Sequence, residues 1–285
     1  MKLKTGLYIV STPIGNLDDI TLRALYVLKN SNIILCEDSR VTQKLLLKHN
    51  IFDKKLIVYN DHSGEETRNK VIDMIQDGMV ISLVSDAGTP MISDPGYKLA
   101  RSVGDAGLLV DVMPGPCAAI AALSLSLLPV DKFYFAGFAP RTRLAKDKFF
   151  SQNKLLDASI ILYDTGNRIF STLESCYEIL GDRQVAIARE ITKIHQEVIR
   201  GHLSRVIPDF GKVVLKGEFV LIVEKSISDE NGLSEESIAE LVKYYLDKNI
   251  SSRDISSILK THHDKKISRN QVYNIVSQIR SRSII

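Results

Sequence analysis

Residues 84–96, Val-Ser-Asp-Ala-Gly-Thr-Pro-Met-Ile-Ser-Asp-Pro-Gly, constrain the fold more than any other stretch of this chain. They follow Met79-Val80-Ile81-Ser82-Leu83-Val84, which reads as a buried strand, and precede Tyr97-Lys98-Leu99-Ala100-Arg101, which starts a helical pattern. A strand that empties into two Asp, two Gly and two Pro builds a rigid loop at the carboxyl end of a sheet, where open α/β folds bind ligands. Gly88 and Gly96 permit backbone angles closed to other residues, and Pro90 and Pro95 lower the entropy of the unfolded loop. Asp86 and Asp94 supply carboxylates for an amine or hydroxyls of a ligand. The plainer alternative is a βα turn with Asp94 as helix N-cap.

The arrangement recurs. Leu7–Val10 runs into Ser11-Thr12-Pro13-Ile14-Gly15-Asn16, and Leu108–Met113 into Pro114-Gly115-Pro116-Cys117-Ala118-Ala119. Ile33–Cys36 leads to Glu37-Asp38-Ser39-Arg40, and Leu56–Tyr59 to Asn60-Asp61-His62. Strand-like runs that end in polar or Gly/Pro residues, with helical spacing between them, predict a mostly parallel sheet whose carboxyl edge forms one cleft. No G-x-G-x-x-G, phosphate loop, H-E-x-x-H or zinc-spaced Cys pair occurs, so ordinary dinucleotide and metal motifs are excluded.

A boundary is placed after Met113, at Pro114-Gly115-Pro116, giving an expected α/β domain over 1–115 and a second over 116–226. The second brings Phe133–Phe138, Ser159–Tyr163, Gln184–Ala188 and Glu218–Val223 as strands. The polar run Ser226–Gly232 reads as a linker to a third segment, 227–285. There Ser234 caps a helix, with Leu233 packing on Ile238 as a staple, and Ile238, Leu241, Val242, Tyr245 and Leu246 fall on one face. Ile255, Ile258 and Leu259 mark a second helix; Ser268 caps a third that turns Val272, Ile275, Val276 and Ile279 inward. The result is a small helix-turn-helix-like module. Residues 248–285 carry a net charge of +6 while the preceding residues carry −3. A compact basic module on a mildly acidic body suggests phosphate contacts, through Lys260, Lys265, Lys266 and Arg269, though a solvated helical surface has the same composition. Arg141 and Arg143, after Gly137-Phe138-Ala139-Pro140, extend that surface or merely solvate a helix.

Three isolated cysteines, Cys36, Cys117 and Cys176, form no disulfide framework. The longest apolar segment, Cys117–Val130, reads as a buried helix too short to span a bilayer, and Met1-Lys2-Leu3-Lys4 leads into a strand. A cytoplasmic protein with no membrane association is expected.

The segments Leu7–Thr21, Glu37–Arg40, Asp61-His62, Ser85–Gly96 and Pro114–Ala119 together resemble one family. It is the ribosomal RNA small-subunit methyltransferase I branch, the cytidine 2′-O-methyltransferases, of the tetrapyrrole methylase superfamily. Arg189-Glu190-Ile191-Thr192-Lys193 and Gly217–Glu224 are similar to its later motifs. The resemblance implies two α/β domains of the class III S-adenosylmethionine (SAM) methyltransferase type, a small-subunit (16S) ribosomal RNA substrate modified at the decoding centre, and a homodimer. It points to SAM contacts at Thr12, Pro13, Ile14, Asp86, Ala87, Gly88, Thr89, Cys117, Ala118, Leu162, Tyr163, Glu218 and Phe219, and it brings Arg40 to the RNA side. One motif departs: Tyr163-Asp164-Thr165-Gly166-Asn167-Arg168 stands where the family reads Tyr-Glu-Ser-x-His-Arg, so no role is carried over to Asn167.

A ribose hydroxyl is a poor nucleophile at neutral pH, and a general base contributes about 10²–10⁴-fold. Asp38, His62 and Glu190, at strand ends, are the candidates. Each has a structural alternative: a local ion pair with an N-cap for Asp38, a capping loop residue for His62, and pairing with Arg189 or Lys193 for Glu190. Two other classes stay open: a tetrapyrrole C-methyltransferase, for which the basic module has no use, and a non-catalytic RNA-binding assembly factor.

Overall fold

The computed structural model describes residues 3–60, 63–210, 216–226, 235–262 and 267–282. The first half alternates strand and helix: β1 (Gly6–Val10), α1 (Leu22–Asn30), β2 (Ile33–Cys36), α2 (Ser39–Lys48), β3 (Lys55–Val58), α3 (Glu65–Gln76), β4 (Val80–Leu83), α4 (Tyr97–Asp105) and β5 (Val110–Met113). The five strands form one parallel sheet in the order β3-β2-β4-β1-β5. β1 and β2 are buried on both faces, which is why they read as unbroken apolar runs rather than alternating ones. Helices α1 and α2 cover one face through Ala24, Val27, Leu28, Leu45 and Leu46; α3 and α4 cover the other through Val71, Ile75, Leu99 and Val103.

β1 and β4 are neighbours, yet the chain leaves β1 toward β2 and leaves β4 toward β5, on opposite sides. Their loops diverge and open a crevice at the carboxyl edge. Thr12 and Gly88, one from each loop, pair across it: Thr12 N–H donates to the Gly88 carbonyl (2.8 Å), and Gly88 N–H to that of Thr12 (3.0 Å).

The next stretch runs α5 (Ala118–Ser126), β6 (Phe133–Phe138), α6 (Arg143–Gln152), β7 (Ser159–Thr165), α7 (Gly166–Leu180), β8 (Gln184–Arg189), β9 (Glu197–His202), α8 (Leu203–Phe210) and β10 (Glu218–Val223). Its sheet has the order β6-β7-β10-β8-β9; β6 and β7 are parallel and the remaining pairs antiparallel. Ala119, Ala122 and Leu123 of α5 pack on Ile161, Ala186, Ala188, Val220 and Ile222 of this sheet. The expected buried helix over Cys117–Val130 is shorter, because Leu127 turns left-handed (φ 61°) and closes it.

Both sheets lie in one compact unit, Met1–Lys154 with Ala158–Glu224; Leu155–Asp157 and Lys225–Ile285 form another. That second unit holds α9 (Glu235–Asp247), α10 (Ser252–His262) and α11 (Arg269–Arg282) around Ile238, Leu241, Val242, Ile255, Leu259, Ile267, Val272 and Val276. Ser268 Oγ accepts from Gln271 N–H at 3.1 Å and caps α11 as expected. The expected Leu233–Ser234 cap and staple lie outside the described residues. Among the described residues no helix is long and apolar enough to cross a membrane.

Candidate active site

The crevice between the loops after β1 and β4 continues into a cavity of about 410 Å³, walled on its other side by β7, β10 and the N-terminus of α5. Ile14, Asp86, Ala87, Gly88, Thr89 and Asp94 come from the first sheet's loops, and Cys117, Ala118, Tyr163, Glu218 and Phe219 from the second half. The volume lies within the roughly 300–1,000 Å³ of small-molecule sites.

The loops are held rather than draped. Buried Thr12 donates its hydroxyl to the Ser85 carbonyl at 3.1 Å. Thr89 Oγ1 contacts Ser11 Oγ at 3.0 Å and donates to the Pro116 carbonyl at 3.1 Å, joining three loops at one side chain. Met91 and Ser93 sit at φ 73° and 66°. Such left-handed non-glycine backbone costs energy and persists where its surroundings over-determine it, commonly at ligand clamps. Gly96 needs its freedom: its φ is +125°, and a Cβ there would fall 2.6 Å from Leu83 Cδ2. Gly96, not Asp94, is the N-cap of α4, which removes the capping alternative for Asp94 and leaves its carboxylate to the cavity.

Glu37, Asp86 and Asp94 make that wall acidic. Asp86 Oδ1 accepts from the Asp38 N–H at 2.9 Å. Burial pushes the Asp94 carboxyl up to about 6, against a hydrogen bond from Ser85 and with added repulsion from Glu37 and Asp86. Desolvation, then Asp86, raises Glu37 as well. Opposite, burial first and Cys117 next raise the Tyr163 phenol, whose oxygen accepts from Ala119 N–H at 3.2 Å.

The sequence-expected contacts divide cleanly. Ile14, Asp86, Ala87, Gly88, Thr89, Cys117, Ala118, Tyr163, Glu218 and Phe219 line the cavity. Thr12 and Pro13 are buried behind it, and Leu162, fully buried on β7, points to the opposite face from Tyr163. Asp38 does not line the cavity: it caps α2 by accepting from Arg40 N–H and pairs with the Arg40 guanidinium at 2.6 Å. Hydrogen bonds from Arg40 hold its carboxyl down at about 2. Glu190 stands behind the rim, its Oε1 accepting from Lys193 Nζ and from Glu218 N–H, both at 3.0 Å, and those partners outweigh burial to lower its carboxyl. His62 lies outside the described residues, as do Lys265 and Lys266. Arg143 is spent on Asp147 (3.0 Å) and on Glu178, whereas Arg141, Lys260 and Arg269 are exposed.

Sequence reading missed Glu37, Ile92, Ser93, Phe138, Asp164, Thr165, Ile191 and Val220, which also line the cavity. Glu37 follows, and Phe138 ends, a recognised strand run, which was the available signal; Asp164 and Val220 fall inside motifs of the resemblance, but a strand position does not by itself show which residues border a cavity. Asp164, wholly buried, holds Arg168 at 3.0 Å and accepts from Thr172 Oγ1 at 2.6 Å, while Asn167 is exposed.

Residues 6–207 match the family described as tetrapyrrole (corrin/porphyrin) methylases. A protein of Rickettsia prowazekii named "Ribosomal RNA small subunit methyltransferase I" is 48% identical over 88% of this chain and 89% of its own. A protein of Halalkalibacterium halodurans with the same name is 44% identical over 78% and 76%. The chain belongs to this methyltransferase family. A cobalt precorrin-4 methyltransferase structure shares the fold, with a TM-score of 0.57 at 16% identity over 76% of this chain and 94% of that one.

The family's cofactor is SAM, and the cavity fits it. Ala87, Gly88 and Ala118 keep the walls thin enough for backbone to approach a folded ligand. Glu37, Asp86 and Asp94 match its ammonium and sulfonium charges, and Ile14, Ile191, Phe219 and Val220 its apolar parts.

Proposed function

We propose that this chain transfers a methyl group from SAM to the 2′-oxygen of a cytidine ribose in 16S ribosomal RNA, at the decoding centre. The observation that carries the reading is the acidic, small-walled cavity in a chain 48% identical to a protein named for ribosomal RNA methylation. Bound there, SAM supplies an electrophilic methyl on a good leaving group, so the S–CH₃ bond breaks as the O–CH₃ bond forms and only the ribose proton needs an acceptor.

Gly88, Ala87 and Ala118 admit the donor, Asp86 and Glu37 attract its positive charge, and the rim carrying Glu218 orients the ribose at near-attack distance. Such positioning supplies up to roughly 7–11 kcal/mol in the best intramolecular models. Asp94 is the proton acceptor preferred here: it lines the cavity, and its carboxyl at about 6 stands nearer operating pH than Asp38 at about 2. Asp38 acts instead through its backbone, whose N–H orients Asp86. Glu190 positions Glu218 through Lys193.

Exposed Lys260 and Arg269 of the basic module, with Lys265 and Lys266, supply phosphate contacts; Arg40 and Arg141 supply others near the site. Domain boundaries near 115 and 226, a homodimeric state and a cytoplasmic location complete the reading. Mapping ribose methylation on 16S RNA from cells lacking the protein tests it. Loss of one 2′-O-methylcytidine supports the reading; an unchanged map with altered corrin or porphyrin methylation would favour the tetrapyrrole alternative.

A further inference from the structure

β6 is an edge strand, and its pairing with β7 is irregular: Phe133, Tyr134 and Phe135 match Ser159, Ile160 and Ile161, but Phe138 matches Tyr163. The register slips by one residue across Ala136-Gly137, with Gly137 left-handed at φ 71°. Bulges of this kind re-aim a side chain next to an active site. Phe138 is thereby placed on the cavity wall while remaining 55% exposed.

It is not a loose side chain. Its ring meets Tyr163 edge-on, centroids 5.6 Å apart at 70°, and Tyr163 also meets Phe135 edge-on at 4.9 Å. Ala139 N–H donates to the Tyr163 carbonyl at 2.8 Å, fixing the backbone immediately after the ring. Three residues on, Arg141 is exposed and makes no ion pair among the described residues. A buttressed aromatic with an open surface at the mouth of a cavity, followed three residues on by an exposed cation without an ion pair among the described residues, suits the stacking of a nucleobase with a hold on its phosphate.

We infer that Phe138 is the stacking platform for the target nucleobase, splayed from the RNA so that its ribose reaches the donor. The inference rests on the RNA methylation reading above and adds the residue that recognises the base. Stacking tolerates any base, so Phe138 supplies affinity and placement rather than a choice between cytidine and uridine.

The chain contains no tryptophan, so Phe138→Trp introduces a single indole at the platform, excited selectively over the ten tyrosines. In the full-length F138W protein, emission is expected to be quenched by a single-stranded RNA carrying one central cytidine. An otherwise identical RNA with an abasic ribose at that position should quench it far less, both titrations being run with SAM already bound because residue 138 borders the cavity assigned to SAM. Phe138→Ala should raise KM for small ribosomal subunits about 5- to 150-fold, the range that stacking energies correspond to, with SAM affinity kept and F138Y close to wild type. Equal quenching by the two RNAs would overturn the inference, as would weaker SAM binding by F138A, which would assign the ring to the donor's wall. Failure of the wild-type chain to methylate RNA would overturn the reading beneath it.

Discussion

Thr12 and Gly88 exchange backbone hydrogen bonds of 2.8 and 3.0 Å across the crevice where β1 and β4 part. This lone antiparallel bridge ties a loop from one face of the parallel sheet to a loop from the other. Gly88 adopts φ +78°, and a Cβ there would meet nothing closer than Ile14 Cγ2 at 3.5 Å. The cost of Gly88→Ala is therefore conformational, about 1–2 kcal/mol. It should appear as a modestly lower Tm and a larger loss of SAM affinity by calorimetry; unchanged SAM affinity would show that the bridge does not set the cavity wall.

Asp94 gives the pH dependence its sign. Its carboxyl sits near 6 because burial, Glu37 and Asp86 oppose ionisation, and Ser85 only partly offsets them; Tyr163 faces it across the cavity, and Arg40 is the cation acting on the same cluster through Asp86. With Asp94 as the proposed acceptor of the ribose proton, methylation would require its ionised form, so kcat/KM should rise through about pH 6, the free-enzyme value. The kcat inflection should fall lower, because a bound cation favours the carboxylate. D94N should lose the inflection along with most turnover; a retained inflection would assign it elsewhere.

The same group predicts a stability effect of opposite value to the enzyme. A carboxyl raised in the folded state binds its proton more tightly there than when unfolded, so its contribution to stability is lost as pH climbs from about 4 to about 6. D94N removes that penalty. Its Tm should exceed wild type above pH 6 and converge on it below pH 4.

Glu37 and Asp86 should distinguish donor from product by charge. SAM carries a sulfonium that S-adenosylhomocysteine lacks, so E37Q and D86N should weaken SAM binding several-fold more than binding of the thioether product. Equal losses for both ligands would place the carboxylates at the ammonium, which donor and product share, and not at the sulfonium.

Asp164 is buried with Arg168 as its ion-pair partner, itself one-quarter exposed. Arg168→Met leaves an uncompensated carboxylate at the β7–α7 corner and should cost about 2–3 kcal/mol, somewhat below the usual figure for fully buried pairs. Adding Asp164→Asn should recover part of that loss in denaturant unfolding.

Where side-chain periodicity or turn chemistry decided the outcome, the sequence was readable. The parallel sheet follows from the apolar runs at Leu7–Val10 and Ile33–Cys36; the thirteen expected SAM contacts came instead from the family resemblance, and ten of those residues line the cavity. β9 was not seen, since Glu197-Val198-Ile199-Arg200-Gly201-His202 lacks both a continuous apolar run and strict alternation. Asp38 and Glu190 were legible as charged strand ends, but their neighbours Arg40 and Lys193 decide what they do, and only geometry shows those partners engaged. Asp94 was seen as a possible cap; Gly96 taking that position could not be read from one sequence. Phe138 depends on a bulge, a register effect with no local signature beyond Gly137.

The most direct measurement incubates the purified chain with small ribosomal subunits lacking ribose methylation and methyl-labelled SAM, followed by alkaline hydrolysis of the RNA. A 2′-O-methyl group removes the hydroxyl that attacks the adjacent phosphodiester. The account therefore predicts label in an alkali-resistant dinucleotide whose 5′ nucleoside is cytidine, and none with D94N. Label in alkali-labile mononucleotides, or no label at all, would contradict it.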